Sequence, residues 1–405
     1  MRAAAFLYPW DVAGDPDAAR RVADLGVRQV TLAAAYHSTR ALTPRHPRHR
    51  VVTARHAAVL YPPAAERWAG RALRPYPQDW VAGADPFGEA AQALADAGLE
   101  VHSWVVLAHN SRLGTEHPAI AVRNAYGDRY PWAPCIARAE VRAYLRDLAA
   151  EAAVRPGARG TELESCGWYG LAHPHAHDKT GGVPLTGAAQ YLMSLCFCEV
   201  CAAGYTGLGV PAEEVRRAVV RALEPVWAGA DGGGGAGGGR AGEWRGVERL
   251  LGGELSALVR SWRDGAARAL RREAVAAVRA AAGAGFQVLL HADPAAHRCG
   301  ADAGADPGDV LAYADGVVVP CTGDDAARED ALAPFAAARE GSAPGRVLAA
   351  NLTVVTAMGG SPGTLAADAA HAAALGADEL RLYHAGLAGD GDLAAVRRAL
   401  AGLSG

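Results

Sequence analysis

Short apolar runs that alternate eight times with helical patterns, and helices that close on a glycine just before the next run, predict an α/β chain folded as a (β/α)8 TIM barrel. The glycine signal recurs in ADLGVRQV, ADAGLEV, GAGFQVL and ALGADELRL. Glycine ends the helix and a buried strand follows at once. Strands separated by helices imply a parallel sheet. Eight such units in 405 residues leave room for two enlarged loops in one barrel domain spanning 1–405. An open doubly wound sheet is the rival arrangement. No G-x-G-x-x-G follows the first run, so a dinucleotide site has no support.

The elements follow in order. The first strand is read at Ala3–Tyr8, with a helix through DPDAARRVADLG. The second is Gln29–Tyr36, followed by a long loop, 37–88, that holds HSTRALTPRHPRHR, YPP and PYPQDW. Helix FGEAAQALADAG leads to the third strand, Glu100–Leu107, and helix AEVRAYLRDLAAEAA to the fourth, Gly160–Ser165. A second long loop, 166–245, contains the glycine-dominated stretch 229–242, read as a disordered surface loop without chemistry. A long helical stretch, Gly246–Ala282, precedes the fifth strand, Phe286–His291. Strands six, seven and eight are Gly316–Pro320, Val347–Leu352 and Glu379–Tyr383, and helix DLAAVRRAL closes the chain. The β-branched and aromatic content of these runs carries the assignment, because alanine is abundant everywhere.

Composition narrows the function. Hydrophobic residues make up 51% and charged residues 20%, which suits a sizeable core. A net charge of −3 argues against nucleic acid or an anionic membrane surface as partner. No apolar run reaches the roughly 18 residues of a membrane span. The N-terminus MRAAAFLYPW lacks a basic region, a long apolar core and a cleavage site, so a cytoplasmic protein is expected. Seven cysteines, an odd number, point to free thiols or a metal site rather than a disulfide framework.

Barrel sites form at the C-terminal ends of the strands. There the sequence places Tyr8 and Trp10, Tyr36 and His37, Trp104, His109 and Asn110, Glu162 and Glu164, His291 and Asp293, Asp324 and Asp325, Tyr383 and His384. Aromatic faces stack on sugar C–H surfaces and polar groups read hydroxyls, so the set suits a small-molecule or oligosaccharide substrate. Glu164 ends its strand beside Trp168, where an apolar wall raises a carboxyl pKa and suits a general acid. Glu162 lies one layer deeper on the same side. Glycoside hydrolysis needs a second carboxylate, for which Asp293 and Asp324 are the candidates. His173, His175, His177 and Asp178 form a loop with metal-ligand spacing. Cys196, Cys198 and Cys201, with Cys166 or Cys135 as a fourth ligand, have the spacing of a structural zinc site.

Residues 110–152, the strand-end acid and LCFCEVC together resemble uncharacterised glycoside-hydrolase-like (β/α)8 proteins. The C-x-C-x2-C segment is similar to the zinc cluster of some clan A β-galactosidases. The resemblance implies a sugar-handling barrel with Glu164 as acid/base. The chain departs from clan A enzymes: no Asn-Glu pair ends the fourth strand, and no Glu ends the seventh. Three expectations follow, namely a glycoside hydrolase, a sugar-binding barrel without turnover, and a metal-dependent sugar isomerase or lyase built on the loop histidines, Glu164 and His291.

Overall fold

A computed structural model describes residues 1–171, 178–230 and 239–403. Its eight core strands are β1 (Arg2–Leu7), β2 (Gln29–Tyr36), β3 (Glu100–Val106), β4 (Ala158–Glu164), β5 (Gln287–His291), β6 (Gly316–Pro320), β7 (Val347–Thr353) and β8 (Glu379–Tyr383). Each pairs in parallel with the next. β8 pairs with β1 through Arg2↔Glu379 to Ala5↔Leu382, which closes the ring. The open doubly wound alternative is therefore excluded.

The outer layer follows the same order. Helix α1 (Ala18–Ala23) precedes β2, α2 (Pro86–Asp96) precedes β3, and α3 (Ala139–Ala153) precedes β4. Helix α4 (Gly253–Ala281) precedes β5, α5 (Pro307–Tyr313) precedes β6, and α6 (Asp325–Glu340) precedes β7. Helix α7 (Leu365–Ala374) precedes β8, and α8 (Asp390–Leu403) ends the described chain. Every residue of β2 is buried, as expected of a strand covered on both faces. The main apolar core lies between strands and helices. A second cluster fills the C-terminal mouth with Phe6, Tyr8, Trp10, Tyr36, Leu60 and Trp104.

Three insertions differ from plain loops. After β2 comes an antiparallel hairpin, Thr39–Leu42 with Val51–Ala54, and then a short run, Ala58–Val59, that pairs antiparallel with the end of β2. After β3 comes a second hairpin, Ala121–Arg123 with Arg129–Pro134. After β4 the described residues form four helices: 187–193, 199–207, 212–227 and 239–251. The expected single helix 246–282 is two, broken at Gly252, whose φ of 77° is outside the helical region. The helix Gly239–Leu251 also begins inside the glycine-rich stretch expected to be disordered; residues 231–238 of that stretch lie outside the described residues.

Candidate active site

The centre of the mouth is Glu164, the last residue of β4. Its side chain is 2% exposed. Trp104 Nε1 on β3 donates to Oε2 at 2.8 Å, and the Tyr383 hydroxyl on β8 donates to the same oxygen at 3.1 Å. His291 Nδ1, at the end of β5, lies 4.0 Å from that oxygen. The indole against the acid is therefore Trp104 and not Trp168. Trp168 Nε1 instead donates to the Arg263 carbonyl at 2.9 Å, and its ring lies under the Arg263 guanidinium. The cause is the turn out of β4: Ser165 has φ 56°, which directs the following residues toward α4. His384, directly after Tyr383, has φ 62°. A left-handed non-glycine residue costs on the order of 1–2 kcal/mol, and both sit next to a site residue.

Below Glu164 lies a layer of fully buried charge. Arg381 on β8 donates to Glu162 at 2.6 Å and to Glu379 at 2.8 Å. Thr31 on β2 donates to Glu162 at 3.1 Å. His291 Nε2 lies 3.5 Å from Glu162, and its other nitrogen lies 3.5 Å from Asp302. Burial disfavours ionisation of Glu162, yet Arg381 and His291 overcome it and hold the carboxyl down at about 2. Burial also opposes charge on His291, but the Asp302 and Glu162 carboxylates, each 3.5 Å away, and the field of Glu164 push its pKa up to about 10. The ring is therefore an imidazolium at neutral pH. Glu164 moves the other way. Burial raises its carboxyl pKa and Asp302 adds to the rise, against the pull of His291, Trp104 and Tyr383.

The second carboxylate beside Glu164 is Asp302, in the loop after β5, with a side chain 26% exposed. Both acids approach the same imidazole nitrogen. The sum of their two distances is an upper limit on the separation of those oxygens, so they are no farther apart than the roughly 9.5 Å that glycosidase pairs reach. The expected partners are engaged elsewhere. Asp293 accepts three bonds from Arg240 at 2.9–3.1 Å and one from Arg298 at 3.2 Å, so its charge is spent in a buried ion cluster. Asp324 caps the N-terminus of α6 through Ala327 N at 2.9 Å, and Asp325 pairs with Arg328.

The aromatic wall stands to one side of Glu164. Tyr8 stacks on Trp10 at 4.5 Å, and the Tyr8 hydroxyl donates to Tyr36 at 2.9 Å and lies 3.0 Å from His384 Nδ1. Burial pushes His384 down to about 3, so this histidine is neutral. His37 stacks on Tyr36 at 4.1 Å, and His109 stacks on Tyr169 at 4.4 Å. Asn110 serves structure: its Oδ1 caps helix Ser111–Glu116 through Leu113 N at 3.0 Å. His173, His175 and His177 lie outside the described residues.

Four cysteines meet in one buried group. The sulfurs of Cys135, Cys196, Cys198 and Cys201 lie within 4.8 Å of one another, all buried. Cys135 is 3.7 Å from Cys198 and 3.6 Å from Cys201. A tetrahedral ion with metal–sulfur bonds of about 2.3 Å needs sulfurs roughly 3.8 Å apart, so the set fits a metal. The fourth member is Cys135 and not Cys166. Cys135 ends the hairpin that packs on this segment, whereas Cys166 is buried near Arg271 with its thiol pushed up to about 12 by burial. Among the described residues this is the one group of three or more His, Cys, Asp or Glu side chains placed to hold an ion.

No family description and no curated protein matches the sequence. Solved structures match the fold. An α-L-fucosidase isoenzyme from Paenibacillus thiaminolyticus aligns with the whole chain at TM-score 0.58 and 11% identity, over 49% of its own length. A catalytic domain of β-amylase from Paenibacillus polymyxa aligns at 0.56 and 12%, over 98% of its length. A β-galactosidase from the psychrophilic Marinomonas ef1 aligns at 0.55 and 10%, over 60%. The chain thus spans about half the length of the fucosidase it matches. At these identities the likeness establishes a fold that glycoside hydrolases use. Among the described residues no helix is long and apolar enough to cross a membrane.

Proposed function

We propose that this barrel hydrolyses glycosidic bonds, with Glu164 as general acid and Asp302 as the second carboxylate. The observation that carries the reading is a buried acid with a raised pKa and a part-exposed acid on one imidazolium, at a barrel mouth walled by aromatic rings. Both donors to Glu164 fall on Oε2, so in the neutral carboxyl the proton resides on Oε1, from which it passes to the glycosidic oxygen. Asp302 then acts on the sugar carbon as nucleophile, or on water as base. His291 is a positioning residue that holds the two acids in relation. The likeness to a fucosidase, an amylase and a galactosidase supports a sugar substrate.

The test is turnover of a panel of aryl glycosides by Glu164→Gln and Asp302→Asn. A missing general acid costs about 10²–10⁴-fold on substrates with poor leaving groups and much less on activated ones. Asp302→Asn lowers both. Unchanged rates in Glu164→Gln would overturn the assignment. A binding barrel without turnover is the second reading, favoured by the end of β7, where Asn351, Leu352 and Thr353 stand and no acid follows. Saccharide binding with no hydrolysis across the panel supports it. The metal-dependent isomerase reading is built on His173, His175 and His177, which lie outside the described residues.

The four cysteines are proposed to hold zinc as a staple between the Ala121–Pro134 hairpin and helix Glu199–Gly207. Elemental analysis reads this directly: one zinc per chain, lost in Cys135→Ser and retained in Cys166→Ser.

A further inference from the structure

The aromatic cluster beside Glu164 is covered in part by a hairpin that follows β2. The hairpin Thr39–Leu42 with Val51–Ala54 lies over the aromatic cluster and buries Ala41, Val52 and Ala54 against it. It pairs with no strand of the barrel. An isolated two-stranded hairpin is marginal, so tertiary contacts decide whether it stays down. Those contacts are slight: two alanines and a valine face inward, while Leu42 and Val51 point out at 64% and 56% exposure. At the tip, Arg45 donates to the Ala388 carbonyl and, at 3.2 Å, to the Gly386 carbonyl. His46 Nε2 lies 3.0 Å from the Ala13 carbonyl. Behind these tethers is a small void of about 30 Å³, bordered by Asp11, Arg45 and His46 and by the apolar Leu7, Val12 and Leu393, so packing beneath the tip is incomplete and the polar tethers hold it.

The cluster under the hairpin is also incompletely bonded. The indole N–H groups of Trp10 and Trp80, both in or against that cluster, are buried and have no hydrogen-bond partner among the described residues. A buried donor without an acceptor is costly, and a hydroxyl-bearing ligand supplies acceptors.

We infer that hairpin 39–54 is a lid, latched by Arg45, that opens to admit a ligand and closes over it. A hairpin that must open for entry and close again suits a small glycoside or the terminal unit of a saccharide rather than the middle of a long chain. The ligand class rests on the sugar-handling reading above; the lid itself does not.

Hydrogen exchange read by mass spectrometry on the full chain tests it, with Arg45→Ala and the milder Arg45→Lys. In the unaltered protein, amides of 39–54 exchange faster than those of the eight barrel strands. In Arg45→Ala they exchange faster still, by about tenfold, with the barrel strands unchanged. Arg45→Lys falls between. Exchange of the hairpin in step with the barrel strands, in the unaltered protein and in Arg45→Lys, overturns the lid whether or not Arg45→Ala folds. If the lid opens locally but no sugar in a panel of free monosaccharides and small glycosides slows its exchange, the ligand assignment fails and the lid stands.

Discussion

Charge counting around His291 accords with the raised carboxyl pKa of Glu164. Arg381 and His291 supply two positive charges, and Glu162, Glu379 and Asp302 are the acids bound to them. The cations are already matched or exceeded before Glu164 ionises. A further charge in the 2%-exposed side chain would have little left to answer it. Arg381 therefore bears on the site from one layer below. Removing one partner of a buried pair costs about 3–5 kcal/mol, because it leaves the other charged and alone. Arg381→Met is expected to lower unfolding free energy by about that amount in urea titration, and Arg381→Lys by less. Glu164 was legible in the sequence because it ends a strand, and strand ends form barrel sites. Asp302 was not. It lies eleven residues beyond β5 in a loop with Asp293, Asp306 and Asp309 nearby, and no spacing rule separates one loop acid from the next. Trp168 misled for a related reason: proximity in sequence does not survive the left-handed turn at Ser165.

At the scale of elements, periodicity read the barrel well and its insertions poorly. All eight strands were found within a residue or two, since each is a short apolar run ended by turn residues. Hairpin 39–54 went unseen, as its strands TRAL and VVTA alternate over only four residues and flank the basic run around Arg48. The break at Gly252 was hidden for another reason. Helical patterning continues on both sides, and only the backbone shows the φ of 77°. An added Cβ there meets nothing within 4 Å, so the cost of Gly252→Ala is conformational alone. About 1 kcal/mol is expected, read as a drop of roughly 1 °C in Tm. Gly386 is a contrasting case. A Cβ at Gly386 would sit 1.8 Å from Asp11 Oδ2, so Gly386→Ala displaces the carboxyl and the carbonyl that Arg45 holds.

For the whole molecule, the buried charge layer ties β2, β4, β5 and β8 across the barrel, so its titration is a titration of the fold. His291 has a folded pKa of about 10 against an ordinary 6.5. Its contribution is complete below 6.5 and is lost as pH rises through about 10. Glu164 and Asp11 have raised carboxyl pKa values, Asp11 to about 7, chiefly by burial, so they too favour the fold less as pH rises. Glu162 and Glu243, held down at about 2, work on the other limb: their contribution is present above 4.5 and is lost as pH falls through 2. The two limbs leave a stability maximum between about 4.5 and 6.5, on the acid side of neutrality. Urea titrations from pH 3 to pH 10 measure it. The same series on His291→Gln isolates the cause. Loss of the imidazolium lowers stability most at pH 5–6 and flattens the alkaline limb between 6.5 and 10. A variant that weakens the protein equally at every pH would show that His291 contributes by packing alone, and that its charge does not bind the two acids to the barrel.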